Sequence, residues 1–565
     1  MDRLYAVIDF SATLAFMEDV IRRAVREALA KAGAEGVAFA VERPADAVHG
    51  DYATNAAMAA AKALGMNPRS LADSLAPVIE DALGERVERV GVAGPGFINI
   101  TLSRAAVRFA TDEAAAQGED WGKGKAEEGK RVMVEYTDPN PFKEMHIGHL
   151  MSNAIGEALS RLIGNEGATV IRACYSGDVG PHVAKAIWSL RKQGIADPES
   201  ASQLSAAYVA GNAAYEESPE AKVQIDALNT AIYEGKDHEL MELWRKGREV
   251  SLAAFENLYR ILGTHFDYFF FESETAEPGV RIVRDGVEKG VFEESEGAVI
   301  YRGEKRGLHT LVFITSRGTP TYEAKDIGLA FLKEERASCD RSVIITAAEQ
   351  TGHFKVFLAA LAELAPQLVA KTAHVPHGLL RLTTGKMGSR TGNVITAAGF
   401  IQEIVEKASE KNPDPLIAEQ VALGSIKYMI LRQAPGSDIV FDPEQSLSLE
   451  GDSGPYLQYA LVRAKKILAY AGNGEGGSEE PAEPYAIERL ILHYPEVVGR
   501  TARELAPNLL TTYLTELAGA WNSFYASEQV LGSPQEAYKM RVTRAFANTM
   551  GNGLALLAIP APERM

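Results

Sequence analysis

RVMVEYTDPNPFKEMHIGHLMSNAIGEALSRL, residues 131–162, decides the fold of the central part of this chain. RVMVEY reads as a buried strand, and TDPNP as a turn in which proline stops further pairing. From about residue 148 apolar residues recur three and four apart, which predicts a long helix. The junction between them carries Lys143, His146, Gly148 and His149. A helix start directly after a strand presents unpaired backbone N–H groups and the positive end of a dipole, which suits a phosphate. Gly148 would let a ligand approach the backbone closely, two imidazoles can donate to phosphoryl oxygens, and Lys143 adds a point charge. Incidental histidines at a helix start are the bland alternative. With 11 histidines and 50 glycines in 565 residues, H-x-G-H arises by chance about 0.02 times per chain, which favours the phosphate reading.

Working outward, the strand and helix alternate: VMVEY, a helix from about 148, TVIRACY, a helix from about 179. That order predicts a parallel α/β sheet. Residues 187–262 then read as helical, and strand patterns return in AVIYRG, LHTLVFIT, TPTYEAKD, RSVIITAA and HVPHGLLRL. The expectation is a nucleotide-binding α/β fold interrupted by an insertion at about 190–300. FMEDVIRRAVREALAKAG (16–33) is a helical pattern, and VERVGVAGPGFINITLS (87–103) two strands around a Gly-Pro-Gly turn. WGKGKAEEGK (121–130) reads as a linker, and the chain reads as helical from about 415 to the end, with AGNGEGGSEEPAEPY (471–485) as a flexible loop. The fold class expected is multidomain α/β: an N-terminal α+β domain (1–120), a Rossmann-type parallel-sheet catalytic domain (121–415) and an all-α C-terminal bundle (416–565).

At 565 residues the chain is too long for one core. Its 46% hydrophobic and 24% charged residues are ordinary for a globular protein. No run reaches the roughly 18 apolar residues of a membrane span, and acids within the first apolar stretch make it a poor signal peptide. Cys174 and Cys339, the only cysteines and far apart, argue against a disulfide framework and a structural zinc site, and point to the cytoplasm. The net charge of −18 argues against nonspecific nucleic-acid binding. However, residues 191–300 hold 21 acids against 11 bases, more than half of that excess, while residues 451–565 are nearly balanced at 12 against 10. Selected faces therefore stay open to a nucleic acid.

A second element, LLRLTTGKMGSRTGNVIT (379–396), is a glycine-rich loop after a strand, suited to close over a triphosphate. HIGH followed at a distance by such a KMSKS-like loop resembles the class I aminoacyl-tRNA synthetases. The usual second lysine of the loop falls at Ser389. Arginyl-tRNA synthetases often lack that lysine and carry one just ahead of HIGH, where Lys143 stands. EYTDPNPFKEMHIGHL, GDVG (177–180), TPTYEAKDIGLA (319–330), AAEQTGHFKVF (347–357), SLEGDSGPYLQYA (448–460), LAIPAPERM (557–565), HGDYATNAAM (49–58) and VAGPGFINI (92–100) all resemble segments of that family, so the likeness spans nearly the whole chain.

The resemblance implies an ATP site at His146, His149, His353, Lys386, Met387, Ser389 and Arg390, with Lys143, His146, Gly148, His149 and Lys386 as the catalytic set. It implies an arginine site at Glu135 and Asn140, Tyr322 and Asp326, and Gln350. Two carboxylates, two amides and a phenol suit a planar cationic fork, whereas a glutamate site would want bases. Each residue alone has a plain structural alternative: Glu135 as a paired acid in a strand, Tyr322 and Asp326 as a surface helix face, His353 as a helix cap; Asp178 either orients the substrate ammonium or caps the following helix. ATP, Mg2+, L-arginine and tRNA(Arg) are the implied ligands, with no membrane contact and a monomeric enzyme. Tyr456, Tyr459 and Arg463 on one predicted helix offer aromatics beside a base, the combination on which unpaired bases stack; a core role for the tyrosines is the alternative. Trp521 and Phe524 form a further aromatic patch with an equal claim to the core. The family implies anticodon contacts here, contact of the N-terminal domain with the tRNA elbow, and formation of adenylate only after tRNA binds. A class I enzyme for another cationic amino acid, or a nucleotidyltransferase acting on a small metabolite, remains open from the residues alone.

Overall fold

The computed structural model describes residues 17–44, 46–383, 395–470 and 477–565. It divides into two compact units, one of residues 125–458, 501–511 and 554–565, the other of residues 1–124, 459–500 and 512–553.

The first of these is built on a five-stranded sheet. Its strands are β1 (Arg131–Glu135), β2 (Thr169–Ser176), β3 (Tyr268–Phe271), β4 (Arg341–Ala347) and β5 (Thr372–His377), in the order β5-β4-β1-β2-β3. Every pairing is parallel. β1 and β4 are central and covered on both faces, which is why VMVE and SVII are buried throughout and do not alternate. The chain winds away from β1 in both directions, so β1 and β4 flank the switch point, where ligands sit at the carboxyl ends of strands.

Between the strands run α1 (Ile147–Asn165), α2 (Pro181–Lys192), α3 (Ala201–Glu217), α4 (Pro219–Glu234), α5 (His238–Leu262), α6 (Glu272–Glu288), α7 (Tyr322–Ala337) and α8 (Thr351–Leu364). α2 to α5 form the acidic helical insertion and carry their own core, including Val183, Ile187, Leu204, Ile225 and Leu240. α6 and α7 lie in close contact. A Cβ on Gly279 would stand 2.0 Å from the Ala324 carbonyl oxygen, and one on Gly328 2.2 Å from that of Thr275.

The insertion differs from its expected form. β3 lies inside it, so the sheet is re-entered at Tyr268, well before residue 300. Four consecutive aromatics in an acidic stretch have no period-two pattern to announce a strand. AVIYRG and LHTLVFIT do not join the parallel sheet. They form a separate antiparallel sheet of Glu293–Ser295, Ala298–Tyr301 and Leu311–Ile314. TPTYEAKD is no strand but the start of α7. Thr321 is its N-cap residue, and its hydroxyl donates to the Phe313 carbonyl at 3.0 Å, tying the helix start to the neighbouring sheet. Beyond residue 415 the chain is mostly helical, yet Ile439–Phe441 pairs in parallel with Leu380–Leu382.

The other unit contains an antiparallel sheet of Val41–Glu42, Tyr52–Thr54, Phe97–Leu102 and Val87–Ala93, in that spatial order. The helices Met17–Lys31 and Pro68–Leu83 bury Ile21, Val25, Leu29, Leu75 and Ile79 in a common core with Tyr52, Ile98 and Ile100. Asp51 and Arg489 close a salt bridge of 2.6 Å, and the Tyr52 hydroxyl donates to Glu496 at 2.7 Å. These contacts join the N-terminal α+β fold to helices of the C-terminal region within one unit.

Candidate active site

The turn between β1 and α1 is strained and pinned. Thr137, Asp138 and Phe142 all take positive φ (79°, 48° and 66°), unusual for residues other than glycine. Four hydrogen bonds hold them. The Thr137 amide donates to Ser152 Oγ at 2.9 Å, Asn153 donates to Thr137 Oγ1 at 3.0 Å, the Tyr175 amide donates to Asp138 Oδ1 at 2.7 Å, and the Phe142 amide donates to Ser251 Oγ at 2.9 Å. Backbone strain of this kind persists only where its surroundings over-determine it, and it concentrates at functional sites.

His146 is the N-cap of α1. Its Nδ1 accepts the Gly148 amide at 3.1 Å, and His149 Nδ1 accepts the His146 amide at 3.1 Å. Both rings therefore carry their proton on Nε2. They stack at 3.8 Å between centroids. Burial, reinforced by the nearby Lys143 charge, depresses the pKa of both, that of His149 well below the ordinary value. Gly148 serves this pair first: a Cβ there would come 2.9 Å from His146 Cε1. Lys143 places its ammonium 4.1 Å from the centre of the Tyr208 ring on α3, and burial lowers its pKa.

Lys386, Met387, Ser389 and Arg390 lie outside the described residues. The chain following them meets the α1 turn: the Ile147 amide donates to the Ile395 carbonyl at 3.2 Å, and the Ala397 amide to the Met145 carbonyl at 2.7 Å.

On the other side of the switch point the groups are charged. Glu135, the last residue of β1, is buried and ion-paired with the buried Lys333; burial raises its pKa while Lys333 opposes the shift. Burial and the Glu135 charge hold Asp138 well above the carboxylate range. Glu272 and Lys325 form a second buried pair at 2.5 Å. Asp326 accepts from His353 Nε2 at 2.6 Å, and Glu323 faces His353 Nδ1 at 3.3 Å. Burial works against that imidazolium, but the two carboxylates outweigh it and lift His353 to about 10. Asn140 lies where a Cβ on Gly177 would stand 2.3 Å from its Oδ1 and 3.3 Å from the Glu272 carboxylate.

The structure thus brings Glu135, Asp326 and Lys333 to one cavity, whose remaining lining is mostly apolar and reaches Ser342 and Thr372 at the amino ends of β4 and β5. Tyr322 is exposed at the start of α7, with the Lys325 ammonium 4.9 Å from its ring centre. Gln350 is exposed in the short turn before α8. Asp178 caps no part of α2. It is fully buried, accepts from the Ser273 amide and hydroxyl at 2.9 and 2.7 Å at the start of α6, and pairs with Arg248 at 3.0 Å. Sequence reasoning overlooked Lys325, Lys333, Glu323 and Glu272. Lys333 stands two helical turns beyond Asp326, a spacing that places both on one side of α7.

Farther along the chain, the Arg463 guanidinium lies 4.4 Å from the Tyr459 ring centre and 4.9 Å from that of Tyr525, and donates to the Tyr459 hydroxyl at 3.1 Å. Tyr456 is half-buried, and its amide donates to Ser453 Oγ at 3.1 Å. Trp521 is buried and stacks on Phe546 at 4.4 Å, and Phe524 is also buried, so these two belong to the core.

Comparison with known proteins places this geometry. The family model for tRNA synthetases class I (R), catalytic domain, matches residues 112–442. That for the arginyl tRNA synthetase N terminal domain matches 19–102, and that for the DALR anticodon binding domain matches 457–565. An arginine–tRNA ligase of Treponema denticola is 30% identical over 543 residues, covering 89% of this chain and 91% of its own. That of Lactobacillus delbrueckii subsp. bulgaricus is 30% identical over 571 residues, covering 97% and 100%. The solved arginyl-tRNA synthetase of Thermus thermophilus superposes with a TM-score of 0.82 at 26% identity, over 97% of this chain and 100% of that one. With a catalytic-domain match over more than half its length and full-length relatives on both sides of that domain, the chain belongs to the class I arginyl-tRNA synthetases.

Proposed function

We propose that the two sides of the β1–β4 switch point divide the work of an arginine–tRNA ligase: carboxylates on one side hold L-arginine, and neutral imidazoles on the other hold ATP. The arginine carboxylate attacks the α-phosphorus, giving arginyl-adenylate and pyrophosphate, and a 3′-terminal ribose hydroxyl of tRNA(Arg) then takes the arginyl group with release of AMP. The single observation that carries this reading is the convergence of the Glu135 carboxylate, at the end of β1, and the Asp326 carboxylate on one cavity.

On the ATP side, the Nε2–H groups of His146 and His149 donate to phosphate oxygens without adding charge, and Lys143 supplies the cation. Lys386, Met387, Ser389 and Arg390 complete that side from the second loop. On the arginine side, Asp326 and Glu135 meet the guanidinium, Asn140 and Gln350 add amide contacts, and Tyr322 covers the site. Mg2+ accompanies the triphosphate and offsets its charge; no group of three or more His, Cys, Asp or Glu among the described residues is arranged to hold a metal by itself.

The Tyr459–Arg463–Tyr525 stack supports base contacts in the anticodon region, together with Tyr456. The N-terminal fold (1–120) contacts the tRNA elbow, 121–415 carries the chemistry and 416–565 reads the anticodon. The enzyme acts as a monomer in the cytoplasm, where its free Cys174 and Cys339 suit reducing conditions. No helix among the described residues is long and apolar enough to cross a membrane.

ATP–pyrophosphate exchange tests the reading with arginine, lysine and glutamate, each with and without tRNA. Exchange with arginine only, and only with tRNA, is expected. Exchange with lysine would refute the pocket assignment, and exchange without tRNA would refute the tRNA requirement while leaving the ATP site standing.

A further inference from the structure

We propose that His353 is a positioning residue of the arginine pocket, a permanent imidazolium that fixes the Asp326 carboxylate, and that it is not a ligand of ATP. The inference rests on the reading of Asp326 as an arginine ligand.

His353 Nε2 lies 2.6 Å from Asp326 Oδ2, and Nδ1 lies 3.3 Å from Glu323 Oε1. An ionised carboxylate accepts hydrogen bonds and cannot donate them. A neutral imidazole carries one N–H, so one of these two contacts would set a lone pair against a carboxylate oxygen. Both contacts are satisfied only when both nitrogens are protonated. The remaining neighbours of the ring do not compete. Phe354 and Phe357 lie 5.7 and 6.5 Å away between centroids, and His374 on β5 is held neutral, its pKa pushed down to about 4. The elevated pKa of His353 agrees with this state.

Two consequences follow from the bonding. With both N–H groups engaged, His353 has no donor left for a phosphate oxygen. Asp326 is held by Oδ2, which directs Oδ1 to be the acceptor for a guanidinium N–H. The three cations of α7 are engaged elsewhere, Lys325 with Glu272, Lys333 with Glu135 and Arg336 with Glu274, so none of them takes the place of His353 at Asp326. Asp326 and Glu135 are thereby oriented by His353 and Lys333 before the substrate arrives, the arrangement that lets binding energy go to recognition rather than reorganisation.

The test is steady-state exchange kinetics on full-length His353→Gln with tRNA present. The expected result is an arginine KM raised about tenfold, with kcat and the ATP KM changed less than about threefold. A raised ATP KM with an unchanged arginine KM would overturn the proposal. A fold-independent measurement uses the wild-type protein labelled with 15N histidine at pH 8. His353, assigned by the shift of its signals in Glu323→Gln, should show protons on both ring nitrogens; a neutral tautomer overturns the proposal. Asp326→Asn separates the two layers. An unchanged arginine KM in that variant overturns the pocket reading and the proposal with it, whereas a raised KM there with an unchanged one in His353→Gln overturns the proposal alone.

Discussion

His146 and His149 at the start of α1 and His353 at the start of α8 are the same side chain on opposite sides of one switch point, held in opposite protonation states. The first two each spend Nδ1 on a backbone amide of their own turn, sit beside Lys143, and are driven neutral by burial and that charge. The third sits between two carboxylates and is driven cationic. The chemistry asked of each side explains the contrast. Phosphates already bring negative charge and are best met by donors aimed in advance. A guanidinium needs acceptors, and acceptors buried side by side need internal cations to remain ionised.

The largest effect should come from removing the acceptor on the arginine side. Asp326→Ala is expected to raise the arginine KM about a hundredfold, the scale of a lost charge-assisted contact of roughly 2–3 kcal/mol, with the ATP KM unchanged. Parallel losses in both KM values would show that the two sides are not separable. Lys143→Ala should act on the other side. A drop in kcat of about tenfold or more with an unchanged arginine KM is expected for a cation whose contact strengthens in the transition state. Single-turnover adenylate formation would read it directly.

Two glycines sharpen the same contrast with smaller effects. Gly148→Ala puts a methyl group 2.9 Å from His146 Cε1, so the ring must turn and the cap of α1 is lost, at about 1 kcal/mol of stability and with a lower kcat. Gly177→Ala puts its methyl 2.3 Å from Asn140 Oδ1, and should raise the arginine KM instead. Thermal melting together with the two KM values distinguishes them, and the same kinetic signature in both variants would break the division of labour.

How much of this was legible beforehand varied with the kind of signal. β1, the turn and α1 were readable because an apolar strand, a proline turn and a helical period follow one another without a gap. The short strand Tyr268–Phe271 was not, since strand membership there is set by pairing with β2 rather than by any local pattern. The residues that resemble the family's ligands could be named one by one, but not their partners. Lys333 for Glu135, Lys325 for Glu272 and His353 for Asp326 come from chain segments tens to hundreds of residues away from their carboxylates, and only the tertiary fold brings them together. The capping alternative for Asp178 fails for the same reason: its carboxylate faces the start of α6, not the helix that follows it in sequence. Sequence shows which groups want a counter-charge, and the fold decides which one they receive.

The smallest effect, and the most direct measure of the contrast, is the pH dependence of stability. His353 titrates at about 10 in the folded chain against 6.5 unfolded. Between those values the folded state binds the extra proton, so the contribution of the clamp is complete below pH 6.5, falls as pH rises, and is gone above about 10. His374 and His182 behave in the opposite sense. Burial holds them at about 4 and about 3, so the unfolded chain binds the extra proton as pH falls below 6.5, and their contribution is complete above pH 6.5 and lost towards acid. Each group changes stability by no more than about 1.4 kcal/mol per pH unit within its window, which is a shift of a few degrees at most in a chain of this size. The His353 contribution therefore gives an alkaline limb and the other two an acid limb, while Lys427, held by burial at about 7, gains stability as pH rises and opposes the alkaline limb. His353→Gln should remove its share of the alkaline limb between pH 6.5 and 10 and, by taking its charge away from His374, weaken the acid limb slightly, while His374→Gln should flatten only the acid limb. An alkaline limb unchanged in His353→Gln would mean that the imidazole between Asp326 and Glu323 is neutral near pH 7, and the two sides of the switch point would then differ in their carboxylates alone.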